Sequence, residues 1–164
     1  MTYFATMPSP VGDLTLCSNG EALTGMYFST GNKARGADPA WQRDDARLAP
    51  AITQLQEYFA GQRRTFDLAL APPATEFQNK VLNALVDIPY GQLRSYKDIA
   101  HAIGNPKAVR AVGTANGNNP IAIIIPCHRV VGSNGALTGF GGGLPAKRWL
   151  LDLESRHTQF TLSN

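Results

Sequence analysis

The stretch Ala71-Pro72-Pro73-Ala74 limits the fold of this 164-residue chain more than any other feature. Two consecutive prolines fix φ and remove two backbone donors, so neither a strand nor a helix is expected to run through them. The flanking segments also differ in pattern: short alternating runs before the prolines indicate strands, whereas helical spacing dominates after them. The sequence therefore predicts a mixed α/β (α+β) fold with two domains, residues 1–73 and 74–164.

The first domain is predicted to be rich in β-structure. Asn19-Gly20 is typical of a tight turn between two paired strands, and Cys17, just before it, is interpreted as a packing residue. A polar loop is expected over residues 29–45, followed by a helix over residues 48–59, where apolar residues recur at helical spacing. Strands are expected over residues 2–7, 14–18, 23–28 and 66–70.

The second domain is predicted to consist mainly of helices. Thr75 and Gln78 match a capping box at the start of one helix, and Ser95 marks the start of a shorter one. Pro145 is expected to open a last helix that carries an apolar side, and residues 155–164 are expected to form a frayed tail.

A helix-turn-helix is predicted around Gly104-Asn105-Pro106. Asn105 is expected to cap the second of its helices, with Pro106 at the first helical position. The side chains of this helix are mostly small, which is consistent either with tight packing against another helix or with close approach to a nucleic acid. In the second case Arg110 would reach into the nucleic acid and Lys107 would contact phosphate. The net charge of +3 permits such a partner without establishing it.

A strongly apolar run, residues 121–125, leads directly into a cluster of reactive side chains. The run is expected to form a short buried strand that stops at Pro126. A cysteine beside such a run is most often a packing residue. Here, however, Cys127 is followed by His128 and Arg129, and neighbouring positive charge lowers the pKa of a thiol. Cys127 is therefore the candidate nucleophile, activated either through a direct hydrogen bond to His128 or through a bridging water.

The composition argues against several other kinds of site. Two cysteines are too few for a disulfide framework or a cysteine-rich zinc cluster, and the three histidines lack metal-ligand spacing. The glycine-rich loop over residues 137–143 lacks the glycine-lysine pattern of nucleotide-binding loops and better suits a wall against a flat ligand. Neither a metal nor a cofactor is expected. No apolar run approaches the ~20 residues that span a bilayer, and no signal segment is recognised, so a cytoplasmic location without membrane contact is expected.

Several motifs in the second domain together resemble one family, the O6-alkylguanine-DNA alkyltransferases. The Pro-Cys-His-Arg core is the most specific of them, and the resemblance is strong over residues 75–155. The matching segments are Ser95-Tyr96, residues 104–113, Asn119-Pro120, residues 125–130, the glycine-rich loop, and Trp149-Leu150-Leu151 with Glu154.

The resemblance implies a direct-reversal DNA-repair protein. It implies an N-terminal sheet domain like that of ribonuclease H and a C-terminal helical domain with a winged helix-turn-helix-like element. The alkyl group of O6-alkylguanine, with O4-alkylthymine as a second candidate substrate, would pass irreversibly to Cys127, so each molecule would act once. The implied partner is double-stranded DNA containing alkylated guanine, bound through the minor groove by a monomer.

The resemblance also assigns roles to individual residues. His128 would activate Cys127 through water, Glu154 would orient His128, and Asn119 would brace the backbone of the site. Tyr96 would help to rotate the nucleotide outward and Arg110 would fill the vacated stack. The implied DNA-binding residues are Ser95, Tyr96, Asn105, Lys107, Ala108, Arg110 and Gly113. The implied substrate-pocket residues are Val130, Phe140, Gly141 and Gly142, with Phe140 in place of the tyrosine that is usual in the family.

Three other functions compete with this interpretation. A non-enzymatic lesion sensor on the same scaffold would lack the nucleophilic cysteine. A Cys–His hydrolase would want a separated histidine and an Asn or Asp around a substrate groove, and would leave the helix after Asn105 unexplained. A DNA-binding regulator would need only the helix-turn-helix. Only an alkyltransferase predicts a mass gain of one alkyl group on Cys127.

Overall fold

The N-terminal half contains a four-stranded sheet in the order β3-β2-β1-β4. The structure is a computed structural model that describes the backbone of residues 1–162 and the side chains of residues 1–158. Strand β1 pairs antiparallel with β2, and β2 with β3, while the short β4 runs parallel to β1. The strands are Tyr3–Met7 (β1), Leu14–Ser18 (β2), Leu23–Phe28 (β3) and Gln42–Arg43 (β4). The first three confirm the predicted strands, whereas β4 lies within the segment that was expected to be loop throughout.

The predicted strand over residues 66–70 is wrong, because the outer edge of β3 is shared by two segments. Leu23 donates its N–H to the Ala69 carbonyl at 2.9 Å and accepts one from Ala71 at 2.8 Å, which gives a single bridge to this segment. Further along β3, Met26 donates to the Pro120 carbonyl at 2.9 Å. The two partners leave neither segment enough of the edge for a continuous ladder.

Five α-helices cover much of the rest of residues 1–162: Asp45–Phe59 (α1), Glu76–Val86 (α2), Tyr96–Ala102 (α3), Val109–Gly117 (α4) and Leu144–Leu162 (α5). The Ser95 side chain caps α3 in a complete capping box with Asp98. At α2, Thr75 accepts from the N–H of Gln78, but the Gln78 side chain donates to the Asn118 carbonyl instead of closing the box. That bond ties the start of α2 to the end of α4.

Two predicted helix ends are wrong. Helix α4 begins at Val109 with Ala108 as its cap residue, and Asn105 instead accepts the N–H of Ala108 in a preceding turn at 3.0 Å. The predicted tail is helical through Leu162, the last residue whose backbone is described, and residues 163–164 lie outside the described residues. In both cases the sequence pattern predicted the helix correctly but misplaced one of its ends, as local signals often do.

The apolar run 121–125 is buried but is not the strand that its composition predicts. Ile125 donates its N–H to the Ile121 carbonyl at 3.0 Å, and Ile124 donates to Ala122 at 2.8 Å, so the run folds back on itself. Ile123 has φ of 70°, a left-handed conformation that is rare and strained for a β-branched residue. The strain lies four residues before Cys127.

One hydrophobic core joins the two halves of the chain. It contains residues of the sheet and α1 together with residues of α2 to α5 and of the run 121–125. A two-stranded parallel pair, Arg94–Ser95 (β5) and Val130–Val131 (β6), connects the start of α3 to the segment after Cys127. Within residues 1–162, none of the helices has the length and apolar character needed to cross a membrane.

Candidate active site

Cys127 opens a single 3-10 turn, Cys127–Arg129, immediately after Pro126. Its side chain is buried, and it borders a cavity of about 330 Å³ between the two halves of the chain. The N-terminal half contributes β3 and the loop that follows it; the C-terminal half contributes the end of α4 and the glycine-rich loop. The lining residues include Met26, Tyr27, Phe28, Lys33, Arg35, Asn116, Asn119, Ala122, Phe140 and Gly141.

The Cys127 thiol is protonated at rest. Burial raises its pKa, and a hydrogen bond from the Asn119 side chain and the positive charge of Lys147 oppose that effect only in part. Asn119 also braces the strained run, since its amide donates to the Ile125 carbonyl at 2.8 Å and its oxygen accepts from Ile121 at 3.0 Å. A nucleophilic thiolate therefore requires a base close to this cysteine.

His128 has the properties of such a base. It is fully buried, and Nε2 lies 2.7 Å from Oε2 of Glu154. Burial lowers the pKa of His128 despite the opposing effect of Glu154, so the imidazole is neutral near pH 7. Because the carboxylate accepts from Nε2, the lone pair is on Nδ1, and Nδ1 has no hydrogen-bond partner among the described residues. A neutral imidazole with a free lone pair can accept a proton.

Glu154 is a buried carboxylate that is surrounded by donors. Arg129 donates from Nε to Oε1 at 2.8 Å and from Nη2 to Oε2 at 3.0 Å, and the Gly91 N–H donates to Oε1 at 3.1 Å. The Tyr58 hydroxyl donates to Oε2 at 2.6 Å. Burial alone would raise the pKa of Glu154, but the hydrogen bonds from His128 and Arg129 and the positive charge of Arg129 outweigh it and hold the pKa well below its usual range. Glu154 is therefore ionised and fixes the orientation of His128.

The chain resembles known proteins along most of its length. Residues 2–72 match the family described as 6-O-methylguanine DNA methyltransferase, ribonuclease-like domain, and residues 76–156 match the DNA binding domain of the same family. A methylated-DNA–protein-cysteine methyltransferase of Methanosarcina acetivorans is 50% identical over 152 residues, which are 93% of this chain and 97% of the relative. This chain belongs to the 6-O-methylguanine DNA methyltransferase family.

Other members of the methyltransferase family support the same assignment. The constitutive methylated-DNA–protein-cysteine methyltransferase of Bacillus subtilis is 45% identical, over 94% of this chain and 96% of the relative. The crystal structure of Mycobacterium tuberculosis O6-methylguanine methyltransferase superposes with a TM-score of 0.88 at 46% identity, covering both chains completely. A second structure of the mycobacterial protein, in complex with DNA, gives a TM-score of 0.89 at 47% identity over 94% of each chain. The mixed α/β fold and the family predicted from the sequence are both confirmed.

The DNA-binding residues expected for a methyltransferase of this family lie along α3, α4 and the turn between them. Ser95 caps α3, and the hydroxyl of Tyr96 is hydrogen-bonded to Thr138 in the glycine-rich loop. Gly113 faces the ring of Tyr96 across the two helices. Asn105 and Lys107 are exposed in the turn, Ala108 precedes α4, and Arg110 is exposed in its first turn.

The expected substrate-pocket residues do not all border the cavity. Phe140 and Gly141 line it, and the Phe140 ring meets Phe28 edge-on with centroids 5.3 Å apart. Gly142 lies behind this wall, where an added Cβ would come within 2.8 Å of the Phe28 ring. Val130 is fully buried in β6, and its carbonyl accepts a hydrogen bond from Lys147 at 2.7 Å.

Sequence reasoning missed three residues of the site. Arg129 was considered only as a neighbouring charge, and Tyr58 and Lys147 were not considered. The sequence does contain a signal for the burial of Lys147. This residue precedes Glu154 by two helical turns and lies on the same helix face as the buried Leu150, which indicates that its side chain points into the core. Tyr58 has a weaker signal, since it follows Leu55 by three residues on the buried side of α1.

Proposed function

We propose that this protein repairs alkylated DNA by taking the alkyl group from O6 of guanine onto Cys127, and that each molecule does so once. The observation that carries the proposal is a buried thiol at an interdomain cavity, next to a neutral His128 that a buried carboxylate holds in place. This is the nucleophile, base and orienting group that covalent transfer requires. The family of the chain supplies the substrate class.

The proposed reaction is one displacement at a saturated carbon. His128 takes the thiol proton at Nδ1 through a water molecule, and the imidazolium that forms is stabilised by Glu154. The Cys127 sulfur then forms a bond to the alkyl carbon while the bond from that carbon to guanine O6 breaks, and the electron pair passes to the guanine. The proton that left the thiol ends on the guanine, which stays in the DNA as the normal base. The product thioether is stable, so the cysteine is not regenerated.

The exposed face of α4 supports binding in the minor groove. Its outward residues are Val109, Arg110, Ala111, Thr114 and Gly117, so Arg110 is the single long side chain on this face. Small residues let a helix come close to the shallow groove, and such a surface offers few groups for reading base edges. Extruding the target base costs a few kcal/mol, and an inserted side chain offsets part of that cost. We assign that insertion to Arg110, and we assign the outward rotation of the nucleotide to Tyr96, whose ring lies against Gly113 of the same helix as Arg110.

The proposal also covers a second substrate, the oligomeric state and the location of the protein. O4-alkylthymine is a second candidate substrate, since it also offers an alkyl carbon on an exocyclic oxygen. The protein is proposed to act as a monomer without a metal or a cofactor, because the groups needed for the transfer come from one chain. A cytoplasmic location is proposed as well. The boundary between residues 73 and 74 remains a prediction.

Mass spectrometry of the intact protein after incubation with a duplex containing one O6-methylguanine tests the proposal. We expect a gain of one methyl group, located on Cys127, in one-to-one proportion to the lesion removed. Cys127→Ser should show no gain. Cys17→Ala is the matched control and should react as the wild type does, because Cys17 lies buried in β2 and burial raises its pKa to about 11.

The competing functions give different results in the same assay. A lesion sensor would bind the duplex without a mass gain, a hydrolase would turn over esters, and a regulator would bind undamaged DNA equally well. The proposal is wrong if Cys127→Ala still removes the lesion, or if one molecule of protein clears many lesions.

A further inference from the structure

A buried hydroxyl from the N-terminal half reaches the carboxylate that orients the base. Tyr58, in the last turn of α1, is fully buried, and its hydroxyl donates to Oε2 of Glu154 at 2.6 Å. The same hydroxyl lies 3.5 Å from Nε2 of His128. Oε2 is also the oxygen that His128 contacts at 2.7 Å, so tyrosine and histidine share one acceptor atom.

We propose that Tyr58 is a positioning residue that sets the basicity of His128 by competing with it for Oε2 of Glu154. A hydrogen bond from a neutral donor withdraws negative charge from the acceptor oxygen. The less charge Oε2 carries, the less it stabilises a proton on the imidazole. Tyr58 therefore keeps His128 neutral, and ready to accept the thiol proton, down to a lower pH than Glu154 alone would allow. The inference rests on the proposed function, because it assigns His128 as the base.

The surroundings of Tyr58 hold its hydroxyl in this position. Its ring packs against Phe66 and Tyr90, with centroids 5.6 Å and 6.1 Å away. Burial, followed by the charge of Glu154, raises the pKa of Tyr58 well above its usual value, so the group is a donor throughout the physiological range. Arg129 and the Gly91 N–H hold the carboxylate independently, so removing the hydroxyl should leave Glu154 in place.

Other charged and titratable groups around Glu154 and His128 also influence the pKa of His128. Arg129 and Tyr90 lie beside Glu154, and Lys147 acts on both His128 and Cys127. None of these groups is altered by replacing Tyr58 with phenylalanine. The ring and its contacts also remain, so the variant removes one hydrogen-bond donor and little else.

The test is the pH dependence of single-turnover methyl transfer by full-length Tyr58→Phe. In the wild type, the rate should fall on the acid side as His128 becomes protonated. In the variant, Glu154 attracts that proton more strongly, so the midpoint of the acid limb should move to higher pH by roughly 0.5 to 1 unit. A hydroxyl that serves only for packing would leave the midpoint unchanged, whatever it did to the rate at the plateau.

Tyr90→Phe is the matched control. It removes a hydroxyl from the same aromatic cluster, but that hydroxyl is not among the described donors to Glu154, so the acid midpoint of this variant should match that of the wild type. A direct NMR titration of His128 gives a second readout that needs no DNA. If the wild type transfers no methyl group, the proposed function fails while the NMR titration still decides the role of Tyr58. If the wild type transfers methyl and Tyr58→Phe has the same acid midpoint and the same His128 titration, the inference about Tyr58 is overturned.

Discussion

At the scale of single residues, Phe140 is the residue of the cavity wall that we expect to affect the rate of alkyl transfer most. Its ring is buried against Phe28 and can stack on a flat base, but it cannot donate a hydrogen bond to the departing guanine. Related alkyltransferases usually have a tyrosine at this position. Charge that develops on guanine O6 must therefore be stabilised by other donors, and backbone amides around Gly141 and Gly142 are the candidates.

We expect Phe140→Tyr to accelerate methyl transfer. One added hydrogen bond in the transition state is worth about 1 kcal/mol, which corresponds to a roughly five- to tenfold faster single-turnover rate. Phe4→Tyr, in β1 beside Trp41, adds a hydroxyl to a ring that does not line the cavity; it is the control and should leave the rate unchanged. An unchanged or slower rate for Phe140→Tyr would show that the hydroxyl is not needed, or not accommodated, at this wall.

At the scale of elements, the loop after β3 closes the cavity against the glycine-rich loop. Lys33 donates its N–H to the Gly141 carbonyl at 3.2 Å, and its amine donates to the Asn118 side chain at 2.9 Å. Gly31 has φ of 92°, and a Cβ there would lie only 2.4 Å from the Gly141 carbonyl oxygen. The close contact of the two loops therefore depends on the absence of a side chain at position 31.

We expect Gly31→Ala to slow methyl transfer severalfold and to lower the free energy of unfolding by more than about 1 kcal/mol, because alanine is strained at positive φ and its methyl group pushes the wall away from the cavity. Transfer kinetics and urea denaturation measure the two effects. Gly36→Ala is a matched control in the same loop, where an added Cβ meets nothing within 4 Å. Equal behaviour of the two variants would mean that the loops do not need to touch.

The elements also show which parts of the fold a sequence can reveal. Strands β1 to β3 and the caps at Thr75 and Ser95 were predicted because their signals are local: alternation, a turn dipeptide, a side chain three residues from its partner. The run 121–125 was predicted as a strand because its composition suits one, but it folds into turns. This conformation depends on hydrogen bonds to Asn119 and on a bridge to the edge of β3, and β3 lies about a hundred residues earlier in the chain. Contacts of that kind leave no trace in local periodicity.

In the candidate site, too, local motifs could be recognised in the sequence, whereas contacts between distant segments could not. Cys127, His128 and Glu154 could be identified because a specific motif carries them, and the structure brings the last two into contact. Tyr58 could not be placed, since α1 lies in the other half of the chain and nothing in its sequence indicates that it meets Glu154. Lys147 was overlooked because a lysine on an apolar helix face is usually explained by exposure of its charged end.

At the scale of the whole molecule, a buried polar network joins the two halves. Glu154 binds Tyr58 of the N-terminal half, while Arg129 donates to the Ile88 carbonyl at 2.7 Å as well as to Glu154. Such a network is costly to bury and stabilises the fold only while its charges are matched. The protonation of its members therefore couples the stability of the protein to pH.

Both titrating members of the network make the protein less stable in acid. Burial lowers the pKa of His128, so in the unfolded chain it takes up a proton near pH 6.5 while the folded protein does not. The pKa of Glu154 is held low by His128 and Arg129, so the unfolded chain again binds its proton first, near pH 4.3. Because the unfolded state binds more protons in both ranges, the free energy of unfolding falls as the pH falls, by up to about 1.4 kcal/mol per pH unit for each group.

We expect urea denaturation midpoints to decrease in two stages, first below about pH 6.5 and then more steeply below about pH 4.3, where Glu154 adds to His128. His128→Gln separates the stages, because it removes the titrating imidazole and leaves the carboxylate. The decrease between pH 6.5 and 5 should shrink, whereas the one at lower pH should persist with a smaller amplitude, because Arg129 still lowers the pKa of Glu154 while the contribution of His128 is lost. Parallel curves for the two proteins would show that His128 is not kept neutral by the fold. That result would also remove the physical basis for its assignment as the base, since an imidazole that is already protonated cannot take the proton of Cys127.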